Sequence, residues 1–347
     1  MEALQGANLD IKSSRDALST RGYLDTGNYG LNWAISGRFL RGYPLGHTCE
    51  IFGDPSTGKS FLITRALSMV QDQGGVAMLD DTEGAYNLEW ISTLGVNPDH
   101  LAFKRSRTVN DHLAVAQAFI KAYADLKLEV PGVLACDSLS LLSTKHELDV
   151  GLDKRDMTKA AELKAFFRII GGDLFEIPAV YLCTSHTIAQ IGGYGQSRTT
   201  SGGGGPKFQA SIRLDLRAIS KIKSEGQFTG VIARVVVAKN RIVAPWKEAT
   251  LAIPFYKPLS RYSGLIPILL QLNLLGVHGQ YLTFEGEKIP IKTYKTKDNF
   301  LQQDESAEEL IESFPDLLKR CDKVLALRDK TGDPWSGATL SDVPSDE

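Results

Sequence analysis

Short apolar runs alternate with longer amphipathic segments between His47 and Ser185, and this alternation constrains the fold more than any other feature. The short runs predict strands, and the segments between them carry apolar residues at helical spacing. Strands are predicted at His47–Phe52, Val76–Asp80, 133–137 and Ala179–Ser185, and helices at Lys59–Gln71, Asn110–Lys127 and Arg155–Gly171. Because such strands must be covered on both faces, the pattern predicts an α/β fold with a mostly parallel, doubly wound sheet.

The pattern changes after Gly205, where predicted strands follow one another without intervening helices. They are SIRLDLRAI, GVIARVVVAKN and EATLAIPF, and they predict an antiparallel extension of the same sheet. A short amphipathic helix is predicted at Gly264–Gly276, a hairpin in QYLTFEGEKIPI, and one helix near Ser306–Lys323. The polar end of the chain, rich in Gly, Pro, Ser and Asp, is expected to be disordered.

The chain of 347 residues has room for one large domain with appendages. We expect an N-terminal arm at 1–24, a candidate oligomerisation element, followed by the core at 25–260. A small C-terminal α/β region at 261–330 and a flexible acidic tail at 331–347 complete the predicted division.

Composition limits the class of protein. The formal net charge of −2 excludes indiscriminate coating of nucleic acid by a large basic surplus, so any such contact must be local. The four cysteines are widely separated, which favours free thiols in a reducing compartment over a disulfide framework. Without an apolar stretch of about 18 residues or an apolar signal segment, we expect a soluble cytoplasmic protein and no membrane partner.

The octet GDPSTGKS lies between a predicted strand and a predicted helix, the context that a phosphate-binding loop requires. Its glycines let backbone N–H groups point at phosphates, and the helix adds the positive end of its dipole. Lys59 is expected to reach the β- and γ-phosphates of ATP, and the Ser60 hydroxyl to bind Mg²⁺. The expected cofactor-binding residues are Gly53, Asp54, Pro55, Ser56, Thr57, Gly58, Lys59, Ser60 and Phe61. A chance glycine-rich turn is the alternative.

Carboxylates follow two of the predicted strands at the same sheet edge as the octet. Asp137 ends the run VLACD and is a candidate second metal ligand, although an aspartate there is also typical of a turn. Asp80, Asp81 and Glu83 emerge together after the strand that begins at Val76, and one of them is placed to polarise an attacking water. A solvated acidic loop is the alternative for this run.

Several segments match the sequence motifs of one protein family. These are the octet, DDTE, LGVNPDHL, the Asp137-Ser138 pair, TSGGGGPKFQASIRLDLR and VVVAKNRIVAPWK. From about Asp25 to Lys288 the chain resembles the bacterial RecA family of recombinases. His186, the phrase GGGGP and the run beginning at Tyr262 resemble the phage UvsX branch. The resemblance implies a RecA-type P-loop NTPase core and DNA-dependent ATPase activity.

The resemblance also implies roles for individual residues around the nucleotide. Glu83 matches the glutamate that activates water, which favours it over Asp81. Asn87 and Trp90 match positions that bracket the adenine ring, and His186 matches the sensor of the γ-phosphate. From its position alone, a histidine at a strand end is more often structural.

Two segments resemble the DNA-binding loops of the family. The second loop, Thr187–Pro206, contains seven glycines. The first loop lies within Glu147–Lys159, where the length and sequence differ from those of bacterial RecA. Without the resemblance, both are flexible surface loops. The expected DNA contacts are Lys154, Arg155, Arg198, Thr199, Thr200, Ser201, Gly202, Gly203 and Lys207.

Lys239 and Arg241 match the pair of cations that RecA protomers insert into a neighbour's ATP site; otherwise they are exposed strand-end charges. Positive charge delivered in this way stabilises the transferring phosphoryl group. The resemblance therefore implies a helical filament on single-stranded DNA that tests double-stranded DNA for pairing, with single-strand-binding and loader proteins as candidate partners. The alternatives are another RecA-fold motor, such as a ring helicase or a RadA-like accessory protein, and an ATP-gated DNA-binding scaffold.

Overall fold

The computed structural model of the chain describes residues 20–150, 158–189, 198–200, 204–279, 281–284, 287–292, 300–331 and 339. The strands are β1 (Tyr23–Leu24), β2 (Tyr43–Pro44), β3 (Thr48–Gly53), β4 (Val76–Asp81), β5 (Leu101–Lys104), β6 (Gly132–Asp137), β7 (Ala179–Ala189), β8 (Arg198–Thr200), β9 (Ile212–Ser224), β10 (Gln227–Asn240), β11 (Glu248–Pro254), β12 (Gly276–His278), β13 (Tyr281–Phe284) and β14 (Glu287–Lys292). The helices are α1 (Tyr29–Ser36), α2 (Lys59–Asp72), α3 (Leu88–Thr93), α4 (Val109–Asp125), α5 (Lys145–Val150), α6 (Thr158–Phe175), α7 (Gly204–Gln209), α8 (Leu265–Gln271), α9 (Phe300–Ser313) and α10 (Leu317–Thr331).

One large sheet organises the molecule, with the strand order β11-β10-β9-β3-β7-β6-β4-β5. The six strands from β9 to β5 in that order are parallel to their neighbours, whereas β10 pairs antiparallel with both β9 and β11. The short strand β8 pairs with the end of β7. The predicted mostly parallel sheet with an antiparallel extension is confirmed, and β9 is the strand that joins the two parts.

Two hydrophobic clusters cover the two faces of the sheet. Successive strand residues point to opposite faces, so Val133 contributes to the cluster that contains helix α2 and Leu134 to the cluster that contains α4 and α6. This division explains why the predicted strands are almost continuously apolar. The doubly wound arrangement is confirmed, and it brings the carboxyl ends of β3, β4, β6 and β7 to one edge.

Most predicted elements form within a few residues of their expected bounds. Helix α4 begins at Val109, since Thr108 and Asp111 form a reciprocal capping box. The edge strand β5 was not predicted. Its residues Ala102, Phe103 and Lys104 are exposed, so it lacks the apolar run that marks the central strands.

The C-terminal region contains the predicted short helix, α8, and the predicted hairpin, β13–β14, to which β12 adds a third strand. The prediction of one helix near Ser306–Lys323 was wrong, because α9 and α10 are separate helices. Pro315 lies in the break, where it offers no N–H and disfavours helical geometry at Phe314. Except for Thr331 and Thr339, the expected disordered tail lies outside the described residues.

The C-terminal helices belong to the main core rather than to a separate one. Leu269 of α8, Leu310 of α9 and Leu318 of α10 are buried in the same cluster as the residues of β3 and α2. Across the described parts of the chain, we find no helix long and apolar enough to cross a membrane.

Candidate functional site

The loop from Gly53 to Ser60 joins β3 to α2, and two of its glycines are required by their surroundings. Gly58 caps α2 with a positive φ of 99°, and a Cβ at this position would lie 2.6 Å from Cδ1 of Ile253. A Cβ on Gly53 would lie 2.3 Å from the carbonyl oxygen of Leu216. The glycine spacing in the sequence therefore corresponds to a close approach of the loop to β9 and β11.

Helix α2 presents its first turn to this loop without a side-chain cap or an acidic residue. Its first N–H groups lack partners within the helix, which makes the helix end suited to an anion. The Nζ of Lys59 donates to the carbonyl oxygens of Gly53, at 3.1 Å, and Asp54, at 2.9 Å. Burial lowers the pKa of Lys59, while Asp137, Glu83 and Asp54 act in the opposite direction. The ammonium group is thus folded over the loop and surrounded by carboxylates.

Asp137 ends β6 at the floor of the same cleft, where it is almost fully buried. Its Oδ1 accepts a hydrogen bond from the Thr184 hydroxyl, and its Oδ2 accepts one from the Tyr86 hydroxyl at 2.7 Å. Burial and the neighbouring Asp137 raise the pKa of Tyr86 well above its ordinary value, so the phenol stays a donor. Ser60 lines the same cleft. Sequence analysis did not find Tyr86 or Thr184, because neither belongs to the motif that it supports.

The three carboxylates of the acidic run have different surroundings. Asp80 is fully buried and accepts hydrogen bonds from Ser106 N, at 2.8 Å, and His112 Nδ1, at 2.7 Å. Asp81 is also buried, and its oxygens close the following turn by accepting from the backbone N–H groups of residues 84–86. Among the three, Glu83 lines the cleft, with 22% of its side chain exposed. Asp80 and Asp81 therefore do not form a solvated acidic loop.

His186 connects the acidic run to β7. Its Nε2 lies 2.8 Å from Oε1 of Glu83, and its backbone N–H donates to Oγ of Ser140 at 2.9 Å. The next residue, Thr187, donates its hydroxyl hydrogen to the Asp54 carboxylate in the loop from Gly53 to Ser60. Strand β7 is thereby joined both to Glu83 and to the loop, at the start of the segment proposed from sequence as the second DNA loop.

Aromatic side chains form part of the wall of the cleft, which has a volume of about 720 Å³. Asn87 caps α3 by accepting from Trp90 N at 2.8 Å, and the Trp90 indole donates to the carbonyl oxygen of Phe255 at 3.2 Å. Phe255 and Tyr256 also line the cleft, and Tyr256 is 70% exposed. These two residues were missed by sequence analysis, where the signal was a pair of aromatics at the end of a predicted strand.

Lys239 and Arg241 lie elsewhere, near the end of β10, and neither is among the residues that line the cleft. Lys239 Nζ donates to the carbonyl oxygens of Lys207, at 3.2 Å, and Phe208, at 2.7 Å. Arg241 donates to the Phe208 carbonyl oxygen at 2.8 Å. Both cations are therefore bonded to the end of α7.

The residues predicted to contact DNA are only partly described. Arg198, Thr199 and Thr200 form β8, which pairs with the end of β7, and Lys207 lies on α7. The remaining predicted contacts, Lys154, Arg155, Ser201, Gly202 and Gly203, lie outside the described residues.

No group of three or more His, Cys, Asp or Glu side chains that could hold a metal ion occurs among the residues the structure describes. The cleft instead offers two hard oxygen donors, the Ser60 hydroxyl and the Asp137 carboxylate. Such a pair fits Mg²⁺, which keeps several waters and takes further oxygens from bound phosphates.

Comparison with known proteins gives a consistent result. Residues 10–260 match the family model described as the RecA N-terminal domain. Among similar proteins, Protein RecA of Rippkaea orientalis is 31% identical over 276 residues, covering 77% of this chain and 74% of the relative. Protein RecA of Porphyromonas gingivalis is 28% identical over 304 residues, with 85% of each chain covered. Protein RecA of Helicobacter acinonychis is 28% identical over 316 residues, covering 88% of this chain and 87% of the relative.

Proposed function

The chain belongs to the RecA family and is a RecA-type recombinase, and from this premise we propose that it is a DNA-dependent, Mg²⁺-requiring ATPase that forms helical filaments on single-stranded DNA and exchanges strands with duplex DNA. The observation that carries the proposal is the meeting of Lys59, Glu83, Asp137 and His186 around one cleft at the amino end of α2. These side chains come from four separate segments of the chain, and each supplies a group that phosphoryl transfer requires.

In the proposed site the loop from Gly53 to Phe61 and the end of α2 hold the phosphates of ATP. The cation Lys59, now bonded to two loop carbonyls, turns to the β- and γ-phosphates when these are bound. The proposed base pocket lies between Asn87 and Trp90, at the start of α3, and the aromatic pair Phe255 and Tyr256, since all four line the cleft and the Trp90 indole bonds to the Phe255 carbonyl. A flat indole suits stacking on a purine.

Ser60 and Asp137 are the proposed protein ligands of Mg²⁺, which neutralises charge on the phosphate oxygens when bound. Tyr86 orients the Asp137 carboxylate through its hydroxyl. We assign the water-orienting role to Glu83, because Asp80 and Asp81 are occupied by other hydrogen bonds. His186 contacts Glu83 at 2.8 Å, so a phosphate that drew His186 away would alter Glu83 at the same time. That shared contact supports His186 as the γ-phosphate sensor.

Lys239 and Arg241 are proposed to act on the cleft of an adjacent protomer, and their position outside their own cleft is consistent with this role. A nucleotide completed by two protomers would favour assembly, and assembly would favour nucleotide binding, because such coupling is reciprocal. DNA contacts are proposed for Lys154, Arg155, 198–203 and Lys207. Thr187 supports the link to ATP, since it bonds to Asp54 at the start of the second loop.

We also propose the division of the chain into an N-terminal arm, a core, a C-terminal region and a tail, and a likeness to the UvsX branch. The proposed partners are single-strand-binding and loader proteins. The cytoplasm is the proposed location. It is supported by four cysteines that are all buried free thiols, as a reducing compartment would maintain them.

The test compares Lys59→Ala and Glu83→Gln with two exposed controls, Lys121→Ala and Glu248→Gln. Phosphate release is measured with and without single-stranded DNA, and strand exchange with labelled oligonucleotides. We expect both site variants to lose DNA-stimulated hydrolysis, Lys59→Ala also to lose strand exchange, and both controls to retain them. Normal strand exchange by the wild-type protein without ATP would refute the proposal.

Electron microscopy with an ATP analogue and single-stranded DNA separates the proposal from its alternatives. Helical filaments are expected. Closed hexamers would favour a ring helicase or RadA-like motor, and tight ATP binding with negligible turnover on DNA would favour a scaffold.

A further inference from the structure

A row of charged residues crosses three adjacent strands on one face of the sheet. Glu50 of β3 is in register with Arg213 of β9, and Arg213 is in register with Lys239 of β10. The Nε of Arg213 donates to Oε2 of Glu50 at 2.5 Å, and its guanidinium lies 4.3 Å from the centre of the Phe52 ring. The row runs from the middle of the sheet to the pair of cations that the proposed function assigns to the neighbouring protomer's site.

Glu50 is placed where a carboxylate is costly. Its side chain is 0% exposed, and its Oε1 has no hydrogen-bond partner among the described residues. A buried charge of this kind must be offset by a partner, and Arg213 supplies one. A neutral or apolar residue could pack at this position without needing a partner of opposite charge. The presence of a carboxylate therefore indicates that its charge has a role.

The cations at the end of the row are crowded. Lys239 and Arg241 donate to the same carbonyl oxygen, that of Phe208. The pKa of Lys239 falls to about 8, through burial and repulsion by Arg241 and Arg213, while Glu50 acts to raise it. His47, whose own pKa is lowered by burial and by Arg241, lies on the same side. Glu50 is the carboxylate that opposes this accumulation of positive charge.

We propose that Glu50 is a positioning residue for Lys239 and Arg241: its buried carboxylate neutralises Arg213 and so allows the two cations to lie side by side on the face presented to the next protomer. The functional part of this inference rests on the proposed role of Lys239 between protomers. Glu50 itself lies in the sheet and touches neither nucleotide nor DNA.

The proposed role between protomers requires the charged form of Lys239. The contribution of Lys239 to that role is therefore present below its pKa and lost as pH rises through about 8. Glu50→Gln removes an attraction across two strand spacings, or about 9.5 Å. At an effective dielectric constant near 20, that attraction corresponds to a shift of about 1.3 pH units. The loss of charge on Lys239 should therefore move to lower pH in the variant.

The direct experiment measures the rate at which an amine-reactive reagent modifies Lys239 across pH, by peptide mass spectrometry, in protein free of nucleotide and DNA. We expect Glu50→Gln to lower the midpoint of this profile, Glu50→Asp to remain close to wild type, and the exposed control Glu248→Gln to leave it unchanged. An unchanged midpoint in Glu50→Gln would overturn the inference. Because this measurement needs no filament, it does not depend on the proposed function.

If Glu50→Gln does not fold, the comparison is made in a background without Arg213. The midpoint in Arg213→Gln should exceed that in Glu50→Gln/Arg213→Gln, since only the carboxylate differs between them. Equal midpoints would count against a role for Glu50.

The functional consequence is measured as the pH profile of kcat/KM for ATP with saturating single-stranded DNA, which reports groups of the free enzyme. The alkaline limb should move to lower pH in Glu50→Gln, and replacing Lys239 by arginine in that variant should move it back up, because guanidinium stays charged. Undiminished hydrolysis in Lys239→Ala would overturn the proposed role between protomers and the functional part of this inference, while leaving the labelling result intact.

Discussion

The buried network of Asp80, His112 and Tyr181 allows a quantitative prediction. All three side chains are buried, and His112 bridges the other two, with its Nδ1 2.7 Å from Asp80 and its Nε2 2.9 Å from the Tyr181 hydroxyl. Burial acts to raise the pKa of Asp80, but hydrogen bonds from His112 and Ser106 outweigh it and leave the pKa lowered. The network joins β4, which leads to Glu83, to β7, which leads to His186.

Replacing His112 by leucine keeps an apolar side chain of similar bulk but leaves the Asp80 carboxylate without its main partner. Removal of one member of a buried pair costs about 3–5 kcal/mol. Tyr181→Phe removes a single neutral hydrogen bond and should cost about 1 kcal/mol. The exposed His100 provides the control, since His100→Ala should change the free energy of unfolding by less than about 0.5 kcal/mol.

Urea denaturation followed by circular dichroism at pH 7 measures these differences. The double variant Asp80→Asn/His112→Leu should recover part of the loss, because no buried charge remains. The sign of the pH dependence follows from the lowered pKa of Asp80: its contribution is complete above about 3.8, the ordinary value, and is lost as pH falls through the folded-state pKa. A His112→Leu variant within about 1 kcal/mol of wild type would refute the reasoning.

Three further predictions concern the cleft. Tyr86→Phe should raise the Mg²⁺ concentration needed for half-maximal hydrolysis by about 10-fold or more, measured by Mg²⁺ titration of phosphate release, because the phenol orients Asp137; an unchanged titration would contradict this role. Gly58→Ala should abolish binding of a fluorescent ATP analogue, because the added methyl meets Ile253 and the backbone φ is positive, whereas Gly171→Ala, with open space around it and no positive φ, should not. Trp90→Ala should weaken binding of the same analogue by about 2- to 10-fold while Trp90→Phe stays near wild type, and equal loss in both would argue against stacking.

Much of the fold was predictable from local patterns. The strands β3, β4, β6 and β7 are short apolar runs because each is buried on both faces, and α2, α4 and α6 show the periodicity of helices packed on one side. The edge strand β5 escaped prediction because its exposed residues carry no such run. The break between α9 and α10 had a local cause, Pro315, which the helical periodicity on either side concealed.

The candidate site was likewise predictable from the sequence only in part. The proposed phosphate-binding loop was predictable from the sequence, because its glycine spacing and the flanking strand and helix are local properties of consecutive residues. The sequence also brought Asp137 and the acidic run to one edge, through the rule that parallel strands end together. Without the family resemblance it could not distinguish Glu83 from Asp80 and Asp81, because the partners of these two aspartates, such as Ser106 and His112 for Asp80, are brought to them by folding.

Contacts between groups far apart in the sequence could be identified only from the folded structure. Glu83 and His186 are 103 positions apart, and Glu50 and Arg213 are 163 apart, yet each pair is in hydrogen-bond contact. Phe255 and Tyr256 reach the cleft because β11 ends beside α3. Contacts of this kind arise from the packing of whole strands and helices, in which a side chain's environment is set by elements far away in the sequence.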